Sequence, residues 1–279
     1  MRVVDEPLVM GIINVTPDSF YTCCQGKGEE ALLALAEGMM AAGADILDIG
    51  GYSTRPGAAF VSEEEEWRRL EGALRAIRQR WQDVPLSVDT WRSGIALKAV
   101  ERFGADIIND VSGGEWDAGM FDTVTRIRAC YILTHTGWAI PTSSRGSSDA
   151  VTPAVPQTVE RVLQFLQERV DRLHRMGVMD VIVDPGFGFG KTIEENFALL
   201  RNLRVFGSLH CPVLAGLSRK SMLYKSLNTD AAHALNATTA VNMIALQNGA
   251  DILRVHDVRE AREAVLMKRL TDHSLVPDT

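Results

Sequence analysis

The 279-residue chain is poor in cysteine. Its four cysteines, Cys23, Cys24, Cys130 and Cys211, include no Cys-x-x-Cys pair of the kind that holds zinc or runs thiol redox chemistry. That scarcity fits a reducing compartment better than a disulfide scaffold. Cys23 and Cys24 are adjacent and polar-flanked, and are expected to be exposed and without a role. No run of 18 apolar residues occurs, so no membrane span is expected. Asp5 and Glu6 lie close to the start without a secretory pattern, so a cytoplasmic protein is expected. Aromatics are only 6% of the chain, and Trp67, Trp81, Trp91, Trp116 and Trp138 do not form a stacking series for nucleic acid. Basic residues, 29 against 36 acidic, leave a net charge of -7, which disfavours nonspecific nucleic-acid binding. It leaves room for a local anion site. There is no GxSxG elbow and no Cys/His cluster with zinc spacing. His174, His210, His233 and His273 read as surface or packing residues.

What is present is apolar material, 46% of residues, enough to fill a substantial core in one large domain or two small ones. It is organised as eight short runs: Leu8 to Asn14, Ala44 to Ile49, Pro85 to Asp89, Asp106 to Val111, Cys130 to His135, Val178 to Asp184, Pro212 to Gly216 and Asp251 to Val255. Most are continuous rather than alternating, as strands buried on both faces are. Helix-like stretches lie between them: Glu29 to Ala42, Glu63 to Arg80, Ile95 to Phe103, Asp117 to Arg128, Gln157 to Met176, Thr192 to Arg204, Ala231 to Asn248 and Val258 to Leu270. Ser62 precedes the second as an N-cap, with Glu65 three residues on. The acidic run Glu63 to Glu66 reads as a solvent-facing helix start. A Gly-Ala-Asp unit recurs before three of the runs, at 43–45, 104–106 and 249–251, where glycine can close the preceding helix. Eight βα units in about 250 residues match a closed (β/α)₈ barrel better than a doubly wound open sheet. The Ser/Thr/Pro-rich stretch 138–156 reads as a surface loop, because the βα series resumes after it. A single domain over 1–279 is expected.

Uncommon polar residues fall at the ends of these runs. Asn14, Asp48, Asp89, Asn109, Asp110, His135, Asp184, Arg254 and His256 lie at or near strand ends, and Ser218, Arg219 and Lys220 follow the seventh run. In a barrel such ends converge on the face that carries active sites. Any one Asp there could equally be a helix cap. Arg55, Arg219, Lys220, Arg254 and His256 could meet a phosphate or carboxylate. Asp89, Asn109 and Asp184 could recognise a heterocycle with several N–H donors. The segment Asp184-Pro-Gly-Phe-Gly-Phe-Gly-Lys191 lacks the full dinucleotide fingerprint. Its glycines allow a tight turn over a ring, and Phe187 and Phe189 could stack on that ring or belong to the core.

These blocks resemble a known family. Gly11 to Phe20 (GIINVTPDSF), Asp48 to Gly57 (DIGGYSTRPG), Ser87 to Thr90, Ile108 to Gly114, the DPGFGFGK segment at 184–191, Leu217 to Ser221 and Arg254 to Val258 resemble the motifs of dihydropteroate synthases. The resemblance runs from about residue 8 to residue 267. It implies a (β/α)₈ barrel that joins 6-hydroxymethyl-7,8-dihydropterin diphosphate to 4-aminobenzoate, giving 7,8-dihydropteroate and diphosphate. Sulfonamides compete with the aminobenzoate in such enzymes. Asp89, Asn109, Asp184 and Lys220 match pterin contacts, and Phe189 matches a pocket wall. Asn14 matches the residue associated with magnesium (Mg2+) and diphosphate. Arg55, Arg254 and His256 match the diphosphate pocket, with Thr54 close by. Ser218 and Lys220 lie where the aminobenzoate carboxylate docks. Asp89, Asp184, Lys220, Arg254 and His256 are the expected catalytic set. Segments 15–26 and 51–59 are the expected closing loops, and a homodimer is the expected assembly.

Four positions depart from the family pattern. Tyr52 stands where Glu is usual. Trp91-Arg92-Ser93 replaces aromatic-Lys-Pro or aromatic-Lys-Ala. Thr136 stands where a pterin-contacting Met is common. Tyr21 to Gly26 replaces Ser-Asp-Gly-Gly. None removes a group that the chemistry needs. Tyr52 and Thr136 keep a non-catalytic pterin-binding paralogue as the alternative, and a pterin-dependent methyl-transfer domain is a further one.

Overall fold

The structure, a computed structural model, describes residues 6–15, 27–52, 60–138 and 155–272. Eight parallel strands form one sheet: β1 (Leu8–Asn14), β2 (Ile46–Gly50), β3 (Leu86–Asp89), β4 (Ile107–Asp110), β5 (Cys130–Thr134), β6 (Val181–Asp184), β7 (Leu214–Ala215) and β8 (Ile252–Val255). Their order is β6-β5-β4-β3-β2-β1-β8-β7. A single bridge, Val183 to Val213, joins the two ends and makes a (β/α)₈ barrel. Every expected strand is found: β1 keeps its expected bounds, β2 starts later and runs one residue further, and the others are trimmed.

Nine α-helices surround the sheet among the described residues: α1 (Lys27–Ala41), α2 (Glu63–Arg80), α3 (Ser93–Phe103), α4 (Met120–Ile127), α5 (Val155–Arg175), α6 (Ile193–Arg201), α7 (Ser221–Ser226), α8 (Leu235–Gln247) and α9 (Val258–Asp272). Ser62 caps α2 by accepting from Glu65 N at 3.2 Å. Gly104 closes α3 in the left-handed region, φ 59°. Two differences from expectation have local causes. The helix expected over 192–204 stops at Arg201, where Asn202 Nδ2 donates to Ala198 O at 2.8 Å. A 3₁₀ helix (Leu203–Leu209) follows and buries Leu203, Phe206 and Leu209. That spacing of three matches the 3₁₀ turn, not the α turn. The short α7 was not foreseen, since six residues give too little periodicity to read.

The barrel has two apolar layers. Val9, Leu47, Val88, Ile108, Leu133 and Val183 face outward into the main core beneath the helices. Met10, Ile46, Ile107, Ile132, Ile182, Leu214 and Ile252 form a separate cluster inside. Side chains alternate along a strand, so the inward positions two residues further on are Asp48, Asn109, Thr134, Asp184 and Arg254. An apolar floor thus lies under a polar layer. Asp48, Asn109, Thr134 and Asp184 are buried.

The three Gly-Ala-Asp units act at the opposite end. Asp45 Oδ2 accepts from Val9 N at 2.7 Å, Asp106 Oδ2 from Leu86 N at 2.9 Å, and Asp251 Oδ2 from Val213 N at 2.8 Å. Each aspartate precedes an even-numbered strand and satisfies an amide at the start of the odd strand beside it. Free strand-end amides would otherwise stand unpaired.

Candidate active site

The polar layer opens at the C-terminal ends of the strands. Arg254 is its hub. Its Nε donates to Asp48 Oδ2 at 2.6 Å, and its Nη2 to Asp89 Oδ2 at 2.5 Å. Asn109 Nδ2 donates to the same Asp48 oxygen at 3.2 Å. Burial works against the charge on Arg254, but Asp48 and Asp89 outweigh it, so its pKa is raised. Burial pushes Asp89 up to about 7, against the pull of Arg254. Asp184 faces the layer from β6, accepting from Gly186 N at 2.7 Å, and burial raises its pKa while Lys220 opposes the shift.

Lys220 reaches in from the segment after β7. Its ammonium donates to Phe187 O and lies 4.7 Å from the centre of the Phe189 ring. Burial lowers its pKa to about 8, with Asp184 opposing. Ser218 Oγ and His256 Nδ1 are 3.0 Å apart, and Ser218 Oγ also accepts from His256 N at 3.2 Å. Asn14 ends β1; its Oδ1 is 3.6 Å from the place where a Cβ on Gly50 would stand. Phe187 is fully buried core, whereas Phe189 joins Val111, Trp116, Trp91 and Trp138 in a small aromatic cluster.

The structure therefore brings together Asn14, Asp89, Asn109, Asp184, Phe189, Ser218, Lys220, Arg254 and His256 at one end of the barrel. Thr54 and Arg55 lie outside the described residues, as do most of 15–26 and 51–59, Cys23, Cys24 and His273. Two expectations are corrected. Arg219 does not face the site. Its guanidinium grips Asp257 through two 2.8 Å hydrogen bonds and donates to the Ala231 and Ala232 carbonyls. Glu66 is not a solvated helix-start residue. It is fully buried, accepts from Thr90 Oγ1 at 2.7 Å and pairs with Arg92. Asp110 is also spoken for, accepting from Ser112 N, Ser112 Oγ, Gly114 N and Tyr131 OH.

Arg92 is the organiser that the sequence did not reveal. Its guanidinium lies near the rings of Tyr52, Phe60 and Trp91, at 5.8, 5.8 and 4.5 Å from their centres. It also donates to Val61 O at 2.6 Å. It thus contacts residues on both flanks of segment 53–59. Two unusual positions, Tyr52 and Arg92, meet here. Such a cation–π contact replaces nothing that a sequence pattern would show, since it joins residues 40 apart. Thr136 is buried, and its Oγ1 accepts from Trp138 N at 3.1 Å, while Trp138 packs edge-on to Phe189 at 4.9 Å.

Fold and site together define a (β/α)₈ enzyme. Its pocket joins carboxylates and an amide, suited to a hydrogen-bonding ring, to Lys, Arg and His groups suited to an anion. Comparison with known proteins narrows this class. The pterin binding enzyme family model matches residues 10–256. The dihydropteroate synthase of Neisseria meningitidis serogroup C is 38% identical over 267 residues, spanning 94% of this chain and 92% of its own. That of Escherichia coli K12 is 36% identical over 273 residues, spanning 96% and 93%. The Yersinia pestis enzyme in a sulfonamide drug complex superposes with a TM-score of 0.86 at 35% identity, covering 98% of this chain and 97% of that one. The Xanthomonas albilineans enzyme with 4-aminobenzoic acid gives 0.85 at 36% identity, covering 97% and 94%. The chain belongs to the dihydropteroate synthase family.

Proposed function

We propose that the pocket condenses 6-hydroxymethyl-7,8-dihydropterin diphosphate with 4-aminobenzoate, releasing 7,8-dihydropteroate and diphosphate. The observation that carries this reading is the convergence of Asp89, Asp184, Lys220 and Arg254 on one polar layer, in a chain whose relatives are dihydropteroate synthases. Asp184 and Asn109 offer acceptors and a donor to the pterin edge. Asp89 accepts as well, once Arg254 turns part of its fork toward ligand. Phe189 walls the ring, and the Lys220 stem covers it.

The exocyclic C–O bond breaks and the diphosphate leaves with the bonding electrons. The dihydropterin ring delocalises the resulting positive charge, and Asp89 and Asp184 favour it electrostatically. Arg254 and His256 meet the negative charge on the leaving group, with Arg55 and Thr54 expected beside them. Ser218 and Lys220 hold the aminobenzoate carboxylate. Its amine attacks the exocyclic carbon and forms the C–N bond. The new anilinium then loses its proton to diphosphate or solvent. An arylamine is a weak nucleophile, which suits a path with C–O cleavage ahead of attack.

Magnesium is the expected metal. Among the described residues no group of three or more His, Cys, Asp or Glu could hold an ion. The Asn14 amide oxygen, a hard donor at the end of β1, suits magnesium and would be its protein ligand beside the substrate diphosphate. When bound, the ion neutralises charge on the leaving group. A sulfonamide would occupy the aminobenzoate position. A cytoplasmic homodimer is the expected state. Among the described residues no helix is long and apolar enough to cross a membrane.

The test mixes purified protein, magnesium and both substrates and measures dihydropteroate. Product that requires both substrates supports the reading. Tight pterin binding with no product selects the non-catalytic alternative.

A further inference from the structure

Lys191 ends the Asp184–Lys191 segment and carries no role so far. Lys191 is half-buried, and its ammonium donates to Gly186 O at 2.7 Å, His135 O at 3.2 Å and Phe189 O at 3.2 Å. The cage spans two loops. Gly186 and Gly190 are left-handed, with φ of 72° and 63°. A Cβ on Gly186 would stand 1.9 Å from His135 O, and one on Gly190 2.7 Å from Gly137 C. The turn after β6 thus lies directly on the chain after β5, and only glycine allows the approach.

Three carbonyl dipoles that converge on one point repel one another unless a cation sits among them. The ammonium supplies that cation from within the chain. What hangs from the turn is the ligand-facing side of the pocket. Phe187 O accepts from Lys220 Nζ, and the Phe189 ring lies 4.7 Å from the same nitrogen. A Cβ on Gly188 would stand 3.1 Å from Lys220 Cδ, so the lysine stem runs against the turn. If the turn shifts, Lys220 and Phe189 shift together.

We propose that Lys191 is a positioning residue for both substrate sites. It touches no substrate. It holds the 186–190 turn in the one shape that aims Lys220 and Phe189 into the pocket. This rests on reading Lys220 and Phe189 as substrate contacts.

The experiment compares Lys191→Met, Lys220→Ala and Asp106→Ala with the parent. Binding of a pterin alone is measured by calorimetry, KM for each substrate and kcat by product assay, and Tm by calorimetric melting. Lys191→Met is expected to raise the pterin Kd and both KM values about tenfold or more, with kcat within about threefold. Asp106→Ala, at the far end of the barrel, lowers Tm and leaves both KM values alone. A Lys191→Met protein with lowered Tm but unchanged Kd and KM values, beside an impaired Lys220→Ala protein, overturns the proposal. An unimpaired Lys220→Ala protein instead overturns the underlying reading of the site. Lys191→Gln keeps two donors in the cage; it replaces the methionine variant if that one does not fold, with the same KM-against-kcat split expected at smaller size.

Discussion

The two ends of the barrel use carboxylates in opposite ways. At the entry end, Asp45, Asp106 and Asp251 each close a backbone amide, and Asp45 and Asp106 also pair with Arg262 and Arg78. The Oδ2 atom of each is thereby engaged within the protein. At the exit end, Asp48 Oδ1, Ser87 Oγ and Thr134 Oγ1 are buried without a hydrogen-bond partner. Asp89 and Asp184 are held at raised pKa by burial. A buried polar atom left unpaired costs about 1–3 kcal/mol. The exit end therefore carries unmet polar demand, which a ring rich in N–H and C=O groups can meet. One end of the same strands serves folding and the other serves binding.

The sharpest way to break this contrast is at the exit end. Lys220→Ala should cut kcat/KM by at least about 100-fold, chiefly through KM, because it removes the charge that grips the aminobenzoate carboxylate and the stem that covers the pterin, while Tm moves little. A kinetic effect below tenfold, measured with both substrates saturating in turn, would return Lys220 to a packing role. At the entry end, Asp106→Ala should cost about 2 kcal/mol, roughly 30-fold in the folding equilibrium, because Leu86 N and Arg78 both lose a partner. Denaturant unfolding reads the loss, and kcat/KM should stay within twofold. If catalysis falls as far as stability, the two ends are not separable.

The third prediction joins stability to binding. Asp89, with Arg254, Asp48 and Glu66 as the charged groups around it, titrates near 7. That is above its value in the unfolded chain, so between about pH 4 and 7 the native state keeps a proton that the unfolded chain releases. This contribution stabilises the empty protein as pH falls through 7. Pterin N–H groups require the carboxylate, so affinity should fall about tenfold from pH 7.5 to 6. Melting and calorimetric titration in the same buffers should show opposite slopes. Parallel slopes would remove Asp89 from the binding set. The smallest effect is expected from Thr136→Met. The added apolar contact, worth about 1 kcal/mol, is offset by losing the hydrogen bond from Trp138 N, also about 1 kcal/mol. Pterin Kd should change by less than about fivefold.

Much of this was legible in the sequence because it is written locally. Strands buried on both faces appear as continuous apolar runs, and Asp89, Asp184 and Arg254 stood out as polar residues at their ends. The Gly-Ala-Asp repeat was visible as helix closure, but the use of its Asp was not. That bond reaches a strand some 20 to 40 residues away in sequence, and only the register supplies it. Arg219 and Glu66 were misread for the same reason. Their partners, Asp257 and Arg92, lie far along the chain, and charge alone does not say which way a side chain turns. The Arg92 contacts with Tyr52 and Phe60 were hidden in two departures that looked separate.

The sheet closes through β7, only two residues long. The seam is the single Val183–Val213 bridge, carried by the hydrogen bond from Val183 N to Pro212 O at 2.9 Å. The β5 and β6 strands, by contrast, match over four residues. A ring held by unequal joins opens at the weakest one. Amide exchange should therefore enter the sheet at Val183, between the strands that lead to Asp184 and Lys220, while the β1–β2 amides exchange only on global unfolding. The clasp of the barrel is set beside its chemistry, so the two walls that grip the ring can part without unzipping the rest.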